Sequence, residues 1–175
     1  NQIASLTTLQ AGSLTTVQIS GMTSKQVAVI EVSDLAELSS AQLVAMSTSL
    51  VAAMTTEQLS SLSTAQLSNL KTSQIAAITT SQLVALTTSQ ISSLTTSQVV
   101  ALTTKQIAAM ESVDTSSLMT KQIAVLTSDQ VMAMTTAQLS NLDADQLISI
   151  KTAAVASLTT AQILSLTSDQ FAELT

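Results

Sequence analysis

The sequence predicts an all-α solenoid of very short capped helices, one for each copy of an eight-residue repeat. Two observations support this fold class: the repeat keeps one register along the chain, and each copy carries residues that begin a helix. Apolar residues make up 46% of the chain, so burial can stabilise a fold and low-hydrophobicity disorder is not expected. A β-solenoid is the alternative fold class.

The repeat has the consensus L-T-T-x-Q-[ILV]-x-x and fills the chain. Its first position recurs from Leu6 to Leu174 and always holds Leu, Met or Ile. The fifth position is Gln with four exceptions, which are Asp34, Leu50, Asp114 and Ala154. No insertion breaks the register, which indicates that every copy occupies an equivalent place in a stack. We therefore predict a single array over residues 1–175, with about 22 copies.

A longer similarity, with an offset of 80 residues, lies over the octapeptide repeat. Glu31 and Asp34 correspond in this way to Glu111 and Asp114. The similarity indicates duplication of a ten-copy block of DNA, and a functional spacing of special copies is the alternative.

Neither one continuous helix nor a flat strand explains the positions of the apolar residues. Each helical residue turns by about 100°, so consecutive copies on one helix would be rotated by about 80° and would form no stripe. The two apolar positions are five and then three residues apart, and both odd spacings would place them on opposite faces of a strand. A β-solenoid can turn corners, but such corners usually need Gly or Asn, and Gly appears only twice.

A short helix that restarts in every copy accounts for all the constrained positions. Thr87 and Gln90 have the spacing of a capping box, in which the Thr87 hydroxyl accepts from the Gln90 amide and the Gln90 side chain accepts from the Thr87 amide. Leu86 and Ile91 flank this box at the two positions of a hydrophobic staple. Leu94 lies three residues after Ile91, on the same helical face, and begins the next copy.

Most copies carry Thr, Ser or Asp at the cap position, and all three are good N-caps. Lys71, Lys151 and Met119 are exceptions, and each should weaken its cap by about 1 kcal/mol. Glu31 and Glu111 are also poor caps. These copies are expected to begin their helices less firmly than the others.

Each helix should have about six residues, too few to be stable alone, because isolated helices shorter than about 12–15 residues are marginal. Neighbouring copies must therefore stack. The chain is expected to bend at each Leu-Thr junction and to form a polygonal coil of three or four copies. The apolar positions should face inward, and Ser and Thr should cover the outside.

The composition argues against several classes of function. The chain has no His and no Cys, so zinc, haem and iron–sulfur sites and Ser-His-Asp or Cys-His catalysis are not expected. Five Lys, no Arg and the single aromatic residue Phe171 offer no basic face or stacking platform for nucleic acid. No apolar run has the length of a membrane span, and no signal-peptide pattern occurs. We predict no catalytic, cofactor-binding or metal-ligating residue, and therefore no enzyme and no cofactor.

Four groups of residues are candidate sites. The Thr-Thr pairs are a possible hydroxyl array for ice or mineral, although capping already uses the first Thr. The Gln ladder resembles a polar zipper, but reciprocal capping explains its spacing better. Asp143 with Asp145, and Glu31 with Asp34, are candidate Ca²⁺ ligands that lack the pattern of an EF-hand loop, so we interpret them as solvated acids. The Met residues mostly replace Leu at the first position and are interpreted as core residues.

Copies such as Leu94-Thr95-Thr96-Ser97-Gln98-Val99 resemble the L-T-T-x-Q-[ILV] tandem repeats of large secreted or cell-surface proteins of bacteria. The resemblance covers essentially the whole chain. It implies an extracellular or cell-surface location and a structural or adhesive role, and it brings no catalytic or ligand-binding residues. The copies around Asp34, Leu50, Asp114 and Ala154 depart from the motif, which puts their helix starts in doubt.

The function predicted from these observations is an extracellular filament or stalk made of stacked helical repeats. Neither end of the chain looks like a polar cap, so we expect either continuation of a longer array or end-to-end self-association between chains. The alternative is a surface-adhesion or ice- or glycan-binding module that uses the Ser/Thr-rich outer face.

Overall fold

The computed structural model describes residues 2–173, so Asn1, Leu174 and Thr175 lie outside the described residues. In this range the regular elements are a 3-10 turn at Gln2–Ser5 and α-helices of four to six residues, and no strand is present. The prediction of an all-α fold with one short helix for each copy is confirmed, and the β-solenoid alternative is wrong. Leu174, the last predicted first-position residue, is one of the residues not described.

The chain divides into two compact units, Asn1–Ser93 and Leu94–Thr175, and each forms a solenoid of its own. The helices of the first unit are α1 (Thr8–Gly12), α2 (Thr16–Ser20), α3 (Ser24–Val27), α4 (Val32–Ala36), α5 (Ser40–Ala45), α6 (Thr48–Ala52), α7 (Thr56–Ser60), α8 (Thr64–Asn69), α9 (Thr72–Ala77), α10 (Thr80–Val84) and α11 (Thr88–Ser93). Those of the second unit are α12 (Thr96–Ala101), α13 (Thr104–Ala109), α14 (Ser112–Ser117), α15 (Thr120–Ile123), α16 (Ser128–Ala133), α17 (Thr136–Ser140), α18 (Ala144–Ser149), α19 (Thr152–Val155), α20 (Thr160–Leu164) and α21 (Ser168–Glu173).

The helices begin where the capping boxes predict. Before α12, the Thr95 hydroxyl accepts from the Gln98 backbone nitrogen at 3.2 Å, and Gln98 Oε1 accepts from the Thr95 backbone nitrogen at 2.8 Å. Both bonds recur in most copies. The copies that lack a complete box are those with cap residues Glu31, Ser47, Lys71, Glu111, Met119 and Lys151.

The five residues predicted to be poor caps accept no side-chain cap bond, which confirms that prediction. The doubt about helix starts in the irregular copies is not borne out, because α4, α6, α14 and α19 begin at the usual position. Stacking in the coil therefore holds these helices even where the local capping signal is weak.

Two extended residues form the corner between consecutive helices. After α12, Leu102 has φ −60° and ψ 134°, and the next cap, Thr103, has φ −72° and ψ 157°. No described residue has a positive φ. The corners therefore need no glycine, which explains how a chain with two Gly turns so often.

Three helices make one coil in each unit. In the first unit α2 packs on α5, α5 on α8 and α8 on α11, and the other helices also pack on the third helix along the chain. The same rule joins α12, α15, α18 and α21 in the second unit. One coil is thus three eight-residue copies, which settles a number that the sequence left at three or four. Two apolar side chains per copy fill the centre of a triangle, whereas a wider polygon would leave a hole.

The apolar interior consists of the first and sixth positions of most copies, although the sixth-position residues Ile163 and Phe171 are 41% and 51% exposed. Ile91 is fully buried and Leu94 is 3% exposed, whereas Thr87, Thr88 and Ser89, at the second to fourth positions, are exposed. The predicted apolar interior and Ser/Thr exterior are confirmed. Among the residues described, no helix is long and apolar enough to pass through a bilayer.

Candidate functional site

The glutamine at the fifth position joins two coils as well as capping its own helix. Gln74 Oε1 accepts from the backbone nitrogen of Lys71 at 2.8 Å, which is one half of the capping box. Gln74 Nε2 donates to the carbonyl oxygens of Leu43 and Met46, each at 2.9 Å, in the preceding coil. The side chain is only 1% exposed, so it makes these bonds away from water.

The accepting carbonyls lie at the end of one helix and the corner that follows it. Leu43 is in the last turn of α5, and Met46 is the residue that ends it. The Leu43 oxygen also accepts from the Met46 backbone nitrogen at 3.1 Å, and carbonyls at a helix end otherwise lack i→i+4 partners. One glutamine thus pairs with a backbone amide at the start of its own helix and with carbonyl oxygens at the end of a helix in the preceding coil.

This double contact, which we call the glutamine clamp, recurs in both units: Nε2 donates to a carbonyl 28 residues earlier and, in most copies, to a second one 30 or 31 residues earlier. Gln58 Nε2 lies 2.7 Å from the Ile30 oxygen and 2.9 Å from the Val27 oxygen. Gln130 Nε2 lies 2.8 Å from the Leu102 oxygen and 2.9 Å from the Val99 oxygen. The clamps include Gln42, Gln58, Gln66, Gln74, Gln82 and Gln90 in the first unit and Gln122, Gln130, Gln138, Gln146, Gln162 and Gln170 in the second.

Sequence analysis found the capping half of this contact and missed the half that joins the coils. A capping box accepts Glu as readily as Gln, yet Glu never stands at the fifth position. Only the amide has both an oxygen that accepts and a nitrogen that donates. The absence of Glu from the fifth position indicates that this side chain must also donate a hydrogen bond.

Comparison with known families agrees with the repeat geometry. Six overlapping stretches of the chain match the model of the ALTTAQ repeat, at residues 27–64, 51–88, 59–96, 75–112, 107–144 and 140–175. This chain belongs to the ALTTAQ repeat family. No curated protein matches it. The last five letters of ALTTAQ match the stretch Leu158-Thr159-Thr160-Ala161-Gln162. This stretch includes both the cap residue, Thr159, and the clamp glutamine, Gln162.

Two copies of the ALTTAQ repeat place a carboxylate where the clamp would be. Asp34 is 2% exposed, and its Oδ2 is buried with no hydrogen-bond partner among the described residues. Asp114 is 5% exposed; burial raises its pKa above 3.8, and the nearby Glu111 carboxylate raises it further. The interpretation of Asp34 as a solvated acid is wrong, because the fifth position of its copy points into the stack and leaves the side chain 2% exposed.

The other candidate groups stay outside the interior or serve the fold. Asp143 caps α18 by accepting from the Gln146 backbone nitrogen at 2.8 Å, and Asp145 is exposed. Glu31 is exposed at the cap of α4 and lines a surface groove with Glu57. Within residues 2–173 no three acidic side chains are grouped so as to hold a metal ion.

The methionines and threonines divide according to their repeat position. The first-position residues Met46, Met54, Met110 and Met134 are buried, which confirms their interpretation as core residues. Met119 and Met132 stand at other positions and are 46% and 47% exposed. The first Thr of a pair serves as the cap, and most second Thr residues lie on the surface.

Proposed function

We propose that this chain is a structural repeat protein, a filament subunit or stalk segment in which coils of short helices stack and chains join end to end. The glutamine clamp carries this proposal. Each coil donates from one face and accepts on the opposite face, so the contact does not close on itself. A heterologous contact of this kind generates open assemblies.

The composition favours a scaffold over an enzyme. The chain offers no His or Cys, and catalysis near neutral pH usually needs an acid or base with a pKa in that range. The outer positions are mainly Ser, Thr and Ala, which suit a solvated surface. An extracellular or cell-surface location is part of the proposal, and it rests on the resemblance to secreted tandem repeats.

Electron microscopy and light scattering over a range of concentrations test the joining of chains. We expect rods whose length and mean mass increase with protein concentration. A uniform particle of 18.0 kDa at every concentration would contradict end-to-end joining.

One observation favours adhesion as a second candidate function. In the first unit the stacked helices α2, α5, α8 and α11 carry no Asp, Glu, Lys or Arg, and Thr16 and Thr64 are exposed along this column. The column formed by α1, α4, α7 and α10 carries Asp34 and Glu57. A neutral hydroxyl-bearing column suits a neutral surface such as ice or an uncharged glycan.

An ice-recrystallisation assay and a glycan array test this second candidate. We expect activity in one assay that the double variant T16K/T64K abolishes and that T56K/T80K, on the other column, retains. If the unaltered chain shows no activity in the ice assay and no binding on the glycan array, the support for adhesion is removed.

A further inference from the structure

One glutamine clamp, instead of three, joins the α4–α6 coil to the α1–α3 coil. The fifth-position residues of α4, α5 and α6 are Asp34, Gln42 and Leu50, and only Gln42 has an amide nitrogen to donate. Gln42 Nε2 lies 2.7 Å from the Leu14 oxygen. The next coil of this unit, α7–α9, makes all three contacts, through Gln58, Gln66 and Gln74. The join below α4 and α6 therefore lacks two of its usual hydrogen-bonded links.

Asp34 points toward the preceding coil and has no partner there. Its side chain is 2% exposed, and its buried Oδ2 accepts no hydrogen bond from a described residue. The clamp register of 28 and 31 residues assigns the carbonyls of Leu6 and Ile3 to this position. Carboxylate and carbonyl oxygens only accept, so burying them together is unfavourable unless a positive group lies between them. Lys25, the one basic side chain within residues 2–45, is exposed.

The length of the aspartate side chain leaves room for an ion. Gln42 and Gln58 each place Nε2 at 2.7 Å from the carbonyl that is 28 residues earlier. Aspartate is shorter by one methylene, which gives a gap of about 4 Å between its carboxylate and the Leu6 oxygen. That gap is too long for a direct hydrogen bond. A Ca²⁺ ion lies about 2.3–2.6 Å from each oxygen ligand, so one ion between the two oxygens contacts both.

Glu31 can supply a second carboxylate to the same place. It is the cap residue of α4, three residues before Asp34, and it accepts no bond from the helix. In the next copy the side chains at these two positions meet, with Ser39 Oγ at 2.7 Å from Gln42 Oε1. Glu31 is exposed, so an ion can enter from solvent. The two carboxylates balance the charge of a divalent cation, and carboxylates, backbone carbonyls and water are the ligands that Ca²⁺ takes.

We propose that Asp34, Glu31 and the Leu6 carbonyl form a Ca²⁺ site that joins the α4–α6 coil to the α1–α3 coil. The ion replaces the amide nitrogen that glutamine supplies in other copies, because it presents positive charge to a carbonyl of the preceding coil. The site uses two acidic side chains, and backbone and water oxygens complete the shell. The inference does not depend on whether chains join end to end.

Hydrogen exchange of the full chain, followed by mass spectrometry with and without Ca²⁺, tests the site. Ca²⁺ at about 10 mM exceeds the dissociation constants of weak protein sites, which are about 10⁻⁴–10⁻³ M. We expect it to slow amide exchange in α1–α4 by about 10-fold or more, because the bound ion opposes local opening. Mg²⁺ should have little effect, because it needs a smaller octahedral shell. The readout is local because Glu111 and Asp114 repeat this residue pair in the second unit.

Two substitutions of one residue separate the ion from the fold. Asp34→Asn removes the charged ligand and should abolish the response to Ca²⁺. Asp34→Gln should restore the clamp, so exchange in α1–α4 should be slow without Ca²⁺ and insensitive to it. Asp145→Asn is the matched control, because Asp145 is exposed and its substitution removes the same charge. This control should respond to Ca²⁺ like the unaltered chain.

Failure of the unaltered chain to respond to Ca²⁺ would overturn the site. An equal response to Mg²⁺ at the same concentration would assign the effect to general charge screening and would also overturn it. So would a full response to Ca²⁺ in either Asp34 variant. None of these results bears on the joining of chains, which light scattering measures separately.

Discussion

Gln74 shows how much of the fold depends on a single side chain in each copy. An α-helix leaves four amide groups and four carbonyls at its ends without internal partners, and a helix of four to six residues consists almost entirely of ends. Gln74 supplies an acceptor to one helix start and donors to the carbonyls of Leu43 and Met46. Each bond contributes about 1 kcal/mol net, and leaving a buried partner unpaired costs about 1–3 kcal/mol.

Gln74→Glu should therefore destabilise the fold strongly at neutral pH. The substitution removes two donors and places a carboxylate in a buried position, and we expect a loss of about 3 kcal/mol or more in the free energy of unfolding. Urea unfolding followed by circular dichroism measures the change. Gln18→Glu is the matched control, because Gln18 caps its helix in the same way but is exposed, and its loss should be small. Equal losses would show that capping alone explains the glutamine.

Asp114 should make stability depend on pH in a predictable direction. Because burial raises the pKa of Asp114 in the folded state, the folded chain holds this proton more tightly than the unfolded chain. Stability should therefore fall as pH rises from 3.8 through the higher folded pKa. Asp114→Asn should be more stable than the unaltered chain at pH 7, and the difference should shrink as pH falls.

Urea unfolding at a series of pH values measures this effect. Glu111→Gln provides a second comparison, since it removes the neighbouring charge that also raises the pKa of Asp114. We expect the Asp114-dependent difference to diminish in that background. A difference that is the same at all pH values would mean that Asp114 does not titrate differently on folding.

At the scale of one helix, the cap residue adjusts stability but does not decide whether the helix forms. α9 begins after Lys71, which accepts no side-chain bond, and still runs from Thr72 to Ala77. The Gln74 half of its box is present, and both Ile75 and Ile78 are buried. Packing of the sixth and first positions therefore outweighs a missing cap worth about 1 kcal/mol.

Lys71→Thr should complete the box and stabilise the chain by about 1 kcal/mol. The threonine hydroxyl would accept from the backbone nitrogen of Gln74, as at the other threonine caps. Lys25→Thr is the control, since Lys25 is an exposed fourth-position residue and not a cap. Denaturant unfolding should show a higher midpoint for Lys71→Thr alone, and equal shifts would attribute the gain to removal of a lysine.

At the scale of the molecule, each unit depends on an unbroken eight-residue register of the repeat. Most copies bury their first, fifth and sixth positions, and each clamp reaches a carbonyl 28 residues earlier and most reach a second one 30 or 31 residues earlier. An added residue would change the spacing of every clamp whose glutamine follows it and whose acceptors precede it. An added copy would shift the column in which each later helix stacks, but would keep every position equivalent.

Two insertions in the first unit distinguish these cases. A single alanine inserted after Ile78 should cost about 3 kcal/mol or more, because it leaves buried polar groups unpaired. A second copy of residues 78–85 inserted after Ala85 should leave the free energy of unfolding within about 1 kcal/mol of its original value. Circular dichroism and urea unfolding measure both. Similar losses from the two insertions would contradict the equivalence of the copies.

Much of the fold can be predicted from the sequence, because the interactions that define each helix lie within a few residues. Thr95 and Gln98 are three residues apart, so their capping box is visible in the motif itself. The burial of Ile91 and Leu94 follows from their place on one helical face. The composition likewise gave the expectation that no metal or catalytic site is present.

The sequence by itself determined where each helix begins and which positions turn inward, since capping and staple contacts are local. Only the tertiary structure decided that three helices make a coil, that each glutamine also holds the coil before it, and that Asp34 and Asp114 are buried. These features depend on residues 28 to 31 positions apart. The helices of all three columns carry the same residue types at the clamp position and in the interior. The repeat motif therefore does not indicate how many helices lie between a clamp glutamine and the carbonyls to which it donates.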